Sequence, residues 1–298
     1  MDEPTADIQT SMSQPIAVTR PVQIKDLGRH VISKPTGLIG AAIVLGMLVL
    51  AGIGPLVAPY NPERASPGNQ MRPPDGEHLM GTDINGMDVF SRVIAAPRTD
   101  VSIAVLGTLG AVLLGVPLGA IAGYFRSPLT GLLLRVSDVV QSFPVFLLGM
   151  ALVVAIGQDV RNVILVIALI NAPIYVRLTR SQALVLRERQ FVEAARSLGG
   201  SAAQVLARHI VPNAVGPALA NVSVTIGFSI LLTAGLSFVG AGVRIPTPEW
   251  GSMIAVGAEN IYTGVWWTSL FPGLALATAV LGFALLGDAV TAARKALT

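Results

Sequence analysis

"QFVEAARSLGGSAAQVLARHIVPNAVGP" (Gln190–Pro217) is polar, amphipathic and lightly basic, yet it interrupts a chain whose other long segments are mostly apolar. Gln190 to Leu198 reads as a short helix with Phe191, Ala194, Ala195 and Leu198 on one side. Gly199-Gly200 ends it, because glycine accepts the left-handed conformation of a helix cap. Ser201 caps a second helix over 202–211, which carries Val205, Leu206 and Ile210, and Pro212 stops it. The small Ala194-Ala195 pair lets another surface come close, and Glu193 offers an exposed anion. The hairpin therefore reads as a docking knob. The plainer alternative is an amphipathic loop lying on a membrane.

The flanks decide what the hairpin interrupts. Six apolar stretches, 37–58, 101–125, 129–156, 162–183, 217–241 and 264–288, each approach the roughly 20 residues that cross a bilayer. A lipid-embedded segment must satisfy its own backbone, so all six are expected to be helices. The third is long and carries Arg135, Asp138 and Gln141, so part of it should leave the hydrocarbon or face protein. Composition agrees: of 298 residues, 52% are hydrophobic and 12% charged, against about 25% charged in soluble domains. Mean hydropathy is +0.67. With the N-terminus inside, 14 of the 20 Lys and Arg fall on inner segments, which places both termini in the cytoplasm. The fold class expected is thus all-α and membrane-spanning. A polar N-terminal tail (1–35) precedes a transmembrane domain (36–298). Within that domain lie an outer loop (59–100), the cytoplasmic hairpin loop (184–216) and a second outer loop (242–263).

Much chemistry is missing. There is no cysteine, hence no disulfide or thiolate site, and the three histidines lie far apart, so no metal site is expected. No G-x-x-x-x-G-K-[ST] or H-E-x-x-H occurs, and "GLSFVG" has the wrong spacing for a nucleophile elbow. The chain is not expected to be an enzyme. Its net charge of +3 gives no reason to expect nucleic acid.

Within the spans, Gly115, Gly119 and Gly123 repeat at four-residue intervals and bare one helix face for close packing. Arg135 and Asp138, three residues apart, suit a helical ion pair. Asn171 with Pro173, and Pro144, interrupt two spans. Asn171 together with Asn221, Thr225 and Ser229 gives a mildly polar stripe able to line a passage for a polar solute. Trp250, Tyr262, Trp266 and Trp267 suit an interfacial belt.

Glu193-Ala194-Ala195, three further residues, Gly199, and then Ile210-x-Pro212 resemble the EAA loop of ABC importer permeases. "EHLMGTDINGMDVFSRVI" (Glu77–Ile94), "GLSFVGAGVRIPTPEWGSMI" (Gly235–Ile254) and "LLGDAV" (Leu285–Val290) resemble segments of the dipeptide/oligopeptide/nickel family, C-type (DppC/OppC-like). The similarity covers about 30–298, with one departure: Met87 stands where the family usually has Arg.

The resemblance implies a type I ABC importer permease fold in a bacterial inner membrane. It also implies a homologous B-type permease as partner, two ABC ATPase subunits or domains that bind the ATP and Mg, and an extracytoplasmic substrate-binding protein. By resemblance, Glu193, Ala194, Ala195, Gly199, Ile210 and Pro212 couple the chain to an ATPase. Di- and oligopeptides are the substrate expected by family frequency, with nickel, glutathione or haem as alternatives. A secondary transporter working without ATP, or a membrane scaffold, would be the rival class. The first should show midplane acids or repeat symmetry, and neither is evident.

Overall fold

The computed structural model describes residues 24–125 and 127–297. Most of the expected N-terminal tail, with Arg20, and also Arg126, therefore lie outside the described residues. The chain forms α1 (Ile24–Ile32), α2 (Pro35–Val57), α3 (Val89–Ala95), α4 (Pro97–Tyr124), α5 (Pro128–Ser142), α6 (Val145–Ile156) and α7 (Val160–Leu186). The hairpin follows as α8 (Gln190–Ser197), α9 (Ala202–Val205), a π turn (Leu206–Ile210) and α10 (Val211–Ala214). Then come α11 (Gly216–Phe238), α12 (Trp250–Ala258), a 3₁₀ turn (Ile261–Thr263) and α13 (Trp267–Leu297). Proline stands in the first turn of α2, α4 and α5, where its missing N–H costs nothing. Ser127 and Thr130 close a reciprocal capping box on α5, and Asp159 caps α7. Among the described residues the only β feature is one isolated bridge, Thr82 with Asp88.

Five helical segments are long and apolar enough to cross a membrane: α2, α3–α4, α7, α11 and α13. The expected third span, 129–156, is not one straight helix. It bends by 99° between α5 and α6. Pro144 sits at that break, unable to continue the hydrogen-bond ladder of the preceding turn. The expected Arg135–Asp138 pair does not form. Asp138 instead accepts from Arg177 of α7 at 2.7 Å, an exposed ion pair that contributes little.

α4 and α7 run side by side in the same direction. A Cβ added at Gly115 would lie 2.6 Å from Ala172 O and from Tyr175 Cβ. At Gly123 it would lie 2.6 Å from Ala183 Cβ, and Gly107 and Gly119 face Ile167 and Val176 in step. The register thus advances together over 16 residues from Gly107 to Gly123, about 24 Å at 1.5 Å per residue. Two parallel neighbours require the chain to return between them, and α5–α6 make that return. The bent pair is therefore the sixth crossing.

The remaining spans pack antiparallel through small residues. Gly40 of α2 meets Leu285 and Leu286 of α13, and Gly282 of α13 meets Ile43 of α2. Gly227 of α11 faces Phe283, while Ser223 donates to Phe283 O at 2.8 Å. Between lipid-embedded helices, such close backbone approach is what dispersion and short hydrogen bonds can use. The expected aromatic belt is only half present. Tyr262 and Trp266 are exposed, but Trp250 and Trp267 are core. Their indole N–H groups reach Val93 O (3.2 Å) and Thr82 O (3.1 Å), so each fully buried ring has its donor satisfied.

A Gly119→Ala substitution drives a methyl into the Val176 carbonyl of α7. It should lower stability by about 1–3 kcal/mol. Gly131→Ala, where a Cβ meets nothing within 4 Å, should be neutral or slightly stabilising. Thermal unfolding of the two variants in detergent checks this contrast.

Candidate functional site

The hairpin is built as the sequence reading expects up to its second helix. Gly199 takes φ +83°, Gly199 N donates to Arg196 O (2.9 Å), and Gly200 N donates to Ala195 O (3.0 Å). That pair of bonds closes a Schellman motif at the end of α8. Ser201 accepts from Gln204 N while Gln204 Oε1 accepts from Ser201 N, a complete capping box. Pro212 does not stop the helix. The π turn at Leu206–Ile210 widens the ladder just before it, Pro212 falls in the first turn of α10, and the chain continues with one residue between α10 and α11.

Which side faces inward is the main finding. Val192 is the residue of α8 that is buried, packed with Val205, Ile210 and Ala214 against Tyr124 and Ala183, near the ends of α4 and α7. Arg196 Nε donates to Tyr124 Oη at 3.1 Å, with its guanidinium 5.0 Å from the ring centroid. Arg187 reaches Gly123 O at 3.5 Å. The hairpin is thus fixed to two spans by an apolar core and by charged side chains. The stripe read from the sequence divides: Ala195 packs half-buried against this core, while Phe191, Ala194 and Leu198 are exposed, Leu198 at 89%. They border a groove of about 440 Å³ together with Gln204, Arg208 and His209.

Of the six candidate coupling residues, Glu193, Ala194, Gly199 and Pro212 are exposed, and Ala195 is half-buried. Ile210 is fully buried and serves as a core anchor of the hairpin. Leu198, Arg208 and His209 were not among those candidates. Leu198 was legible as an apolar residue next to a cap glycine. His209, whose ring lies 6.3 Å from that of Phe191, needed the fold of the second helix.

The polar stripe is corrected as well. Asn171 (1% exposed), Thr225 and Ser229 are buried within the bundle, and Asn171 Nδ2 lies 3.4 Å from Ser229 Oγ. Asn221 is half-buried and bonds Thr225 at 3.1 Å. This is a seam between α7 and α11, packed inside the bundle instead of facing an open passage, in which Asn171 Nδ2 donates to Ile167 O at 2.9 Å and Asn171 Oδ1 meets no protein donor. Gly115, Gly119 and Gly123 lie on the α4–α7 contact.

At the opposite end, the loop before α3 folds onto the loop before α12. Arg92, 2% exposed, donates from Nη1 to Pro62 O (2.7 Å) and Pro246 O (3.0 Å), joining both loops. Met87 is buried beside it, with Sδ 2.8 Å from Nη1. An arginine at 87 would set a second guanidinium there, so the departure from the family pattern sits in the core. Burial pushes the Asp83 carboxyl above its ordinary range, partly offset by the N–H groups of Met87 and Asn85 and by the Arg92 charge. His78 Nδ1 lies 2.8 Å from Asp88 Oδ1, and Asp88 caps α3 by accepting from Ser91 N. Among the described residues no group of three metal-ligating side chains comes together.

Residues 115–294 match the family described as binding-protein-dependent transport system inner membrane component. Residues 23–74 match the N-terminal TM domain of oligopeptide transport permease C. The chain is a C-type ABC importer permease. Curated relatives agree. A dipeptide transport system permease protein from Alkalihalophilus pseudofirmus is 34% identical over 84% of this chain and 82% of its own. A probable D,D-dipeptide transport system permease from Escherichia coli K12 is 34% identical over 86% of each chain. A glutathione transport system permease from Escherichia coli O6:K15:H31 is 35% identical over 84% of this chain and 83% of its own. A chain from a structure of the inward-facing MetNI methionine ABC transporter shares the fold with this permease. Its TM-score is 0.51 at 17% identity, covering 70% of this chain and 96% of that one.

In this permease the Gly199 turn should tolerate no side chain. A Gly199→Ala change forces a left-handed alanine, destabilising the hairpin by about 1–2 kcal/mol. Hydrogen exchange should speed up over 190–205 while the α4–α7 seam keeps its protection.

Proposed function

We propose that this permease forms half of the translocation path of an ATP-driven importer of short peptides, and that α8 and its Gly199 turn seat in a cleft of a cytoplasmic ATPase subunit. The observation that carries this reading is the uncovered Phe191–Ala194–Leu198 face of α8, on a helix whose other side is fixed to α4 and α7. An exposed apolar stripe beside an apolar-floored groove calls for a partner. Glu193 and Arg208 at its edges would set the register of docking.

The excess of basic residues around the hairpin favours the cytoplasm for it and for both termini. In this reading the second half of the path comes from a homologous B-type permease. Two ATPase subunits bind ATP and Mg, and an extracytoplasmic binding protein delivers solute to the opposite end. No chemical step is assigned to this chain. Closure of the ATPases moves the docked hairpin. Because Tyr124 and Ala183 belong to its core, α4 and α7 move with it, biasing a bundle with two arrangements. Relatives named for dipeptides, D,D-dipeptides and glutathione have a short peptide in common, which supports that substrate class here.

The test is ATP hydrolysis by the assembled transporter with its binding protein, for wild type, Glu193→Arg and Leu198→Asp, with assembly followed by size exclusion. Each variant should lose the ATPase subunit or lose binding-protein stimulation by about tenfold, the equivalent of 1.4 kcal/mol of docking. Full stimulation of both variants in an intact complex would refute docking through this face. Failure of any ATPase to co-purify with wild type would refute the importer reading.

A further inference from the structure

Two acidic residues that nothing above uses meet at the end of the molecule opposite the hairpin. Asp100 lies in the first turn of α4 and Glu249 caps α12, and their side chains are 1% and 0% exposed as residues. Both converge on one helix end. Trp250 N donates to Asp100 Oδ2 (3.1 Å), Gly251 N to Glu249 Oε1 (2.8 Å) and Ser252 N to Glu249 Oε2 (2.7 Å). Three successive free N–H groups of α12 are thus taken up by two carboxyls from different elements. Asp100 Oδ1 meets no N–H or hydroxyl donor. The Glu249 carboxyl adjoins it, since the two side chains take successive N–H groups, those of Trp250 and Gly251, at one helix start.

The surrounding charges do not balance two anions. Arg92 of α3 faces Glu249, but it also faces Asp83 and Glu63. From α11 the neutral Ser237 hydroxyl faces Glu249. No cation faces Asp100 among the described residues. Two carboxylates buried on adjacent N–H groups of one helix end would repel strongly if both were charged, and the donor that Asp100 Oδ1 lacks is supplied by the O–H of a carboxylic acid.

We propose that Asp100 and Glu249 hold one proton between them, and that this pair latches α12 onto the first turn of α4. The proton supplies the missing hydrogen bond, and the one remaining negative charge rests on the three N–H groups of the α12 N-terminus and on Arg92. Burial holds the Glu249 carboxyl above its ordinary range, against the pull of the Ser252 and Gly251 N–H groups. A carboxyl raised on folding adds stability that is complete below its unfolded titration and is lost as pH rises through its folded one. The latch therefore weakens toward alkaline pH.

The intact transporter in lipid nanodiscs tests this with wild type, Asp100→Asn and Asp100→Ala. Asparagine keeps an acceptor for Trp250 N–H and places an N–H donor where the shared proton was. Asp100→Asn should keep the wild-type melting temperature at mildly acidic pH and remove the alkaline decline. Asp100→Ala should lower the melting temperature by about 3 °C or more at every pH. An infrared carboxylic-acid C=O band that shifts in D₂O should be present in wild type at neutral pH and absent in Asp100→Asn. A wild type without the alkaline decline, an Asp100→Asn as unstable as Asp100→Ala, or the lack of the infrared band would each overturn the shared proton.

Discussion

Close approach of α4 to α7 is the constraint on which the rest of the permease depends. Lipid tails are as apolar as leucine, so a span gains little by burying leucine against another span. It gains by contact at short range, and contact at short range requires that side chains be absent. Gly107, Gly115, Gly119 and Gly123 clear one face of α4, and Ala172, Val176 and Ala183 of α7 fill the space. Because both helices run the same way, the connection between them must cross back, and the bent α5–α6 pair follows from that. A proline kink in an isolated helix would be a local matter. Here its position decides that a segment too bent to be one rod still counts as a crossing.

α4 also links the two ends of the molecule. Tyr124, its last residue, stacks under Arg196 and lies in the core of the hairpin. Asp100, in its first turn, accepts from Trp250 N at the start of α12. The 24 residues between them span about 36 Å of continuous helix. A displacement imposed on the hairpin thus reaches the opposite end without passing through a loop. The two ends differ in construction. The hairpin end leaves the apolar side chains of Phe191 and Leu198 uncovered. The far end buries Arg92, Asp83, Asp100 and Glu249, and Arg92 ties two long loops together through Pro62 O and Pro246 O.

The hairpin and the polar stripe show how far pattern reading reaches. Its first cap was legible because a left-handed glycine and a serine–glutamine box are local devices, each set by a few neighbouring residues. Phe191, Ala194, Ala195 and Leu198 were grouped on one side of α8, but periodicity says only that residues share a face. It was Val192, on the other side, that entered the core, with Ala195 packed half-buried against it. Similarly Asn171, Thr225 and Ser229 were rightly seen as one stripe. Whether a polar stripe lines water or another helix depends on what packs against it, and here that is a neighbouring span of the same chain.

By itself, the sequence determined the class of the protein, the number of crossings, the glycine face of α4, the helix caps and the family. The family follows from the resemblance of whole motifs, and the rest from composition or from spacings under ten residues, where the chain's own covalent geometry sets who can meet whom. Only the tertiary structure decided which face of the hairpin looks outward, that Trp250 and Trp267 are core, that Asp138 pairs with Arg177, and that Asp100 accepts from Trp250 N across 150 residues of chain. Those contacts join elements far apart in sequence. Their partners are chosen by the packing of helices against one another, and no local pattern encodes that choice.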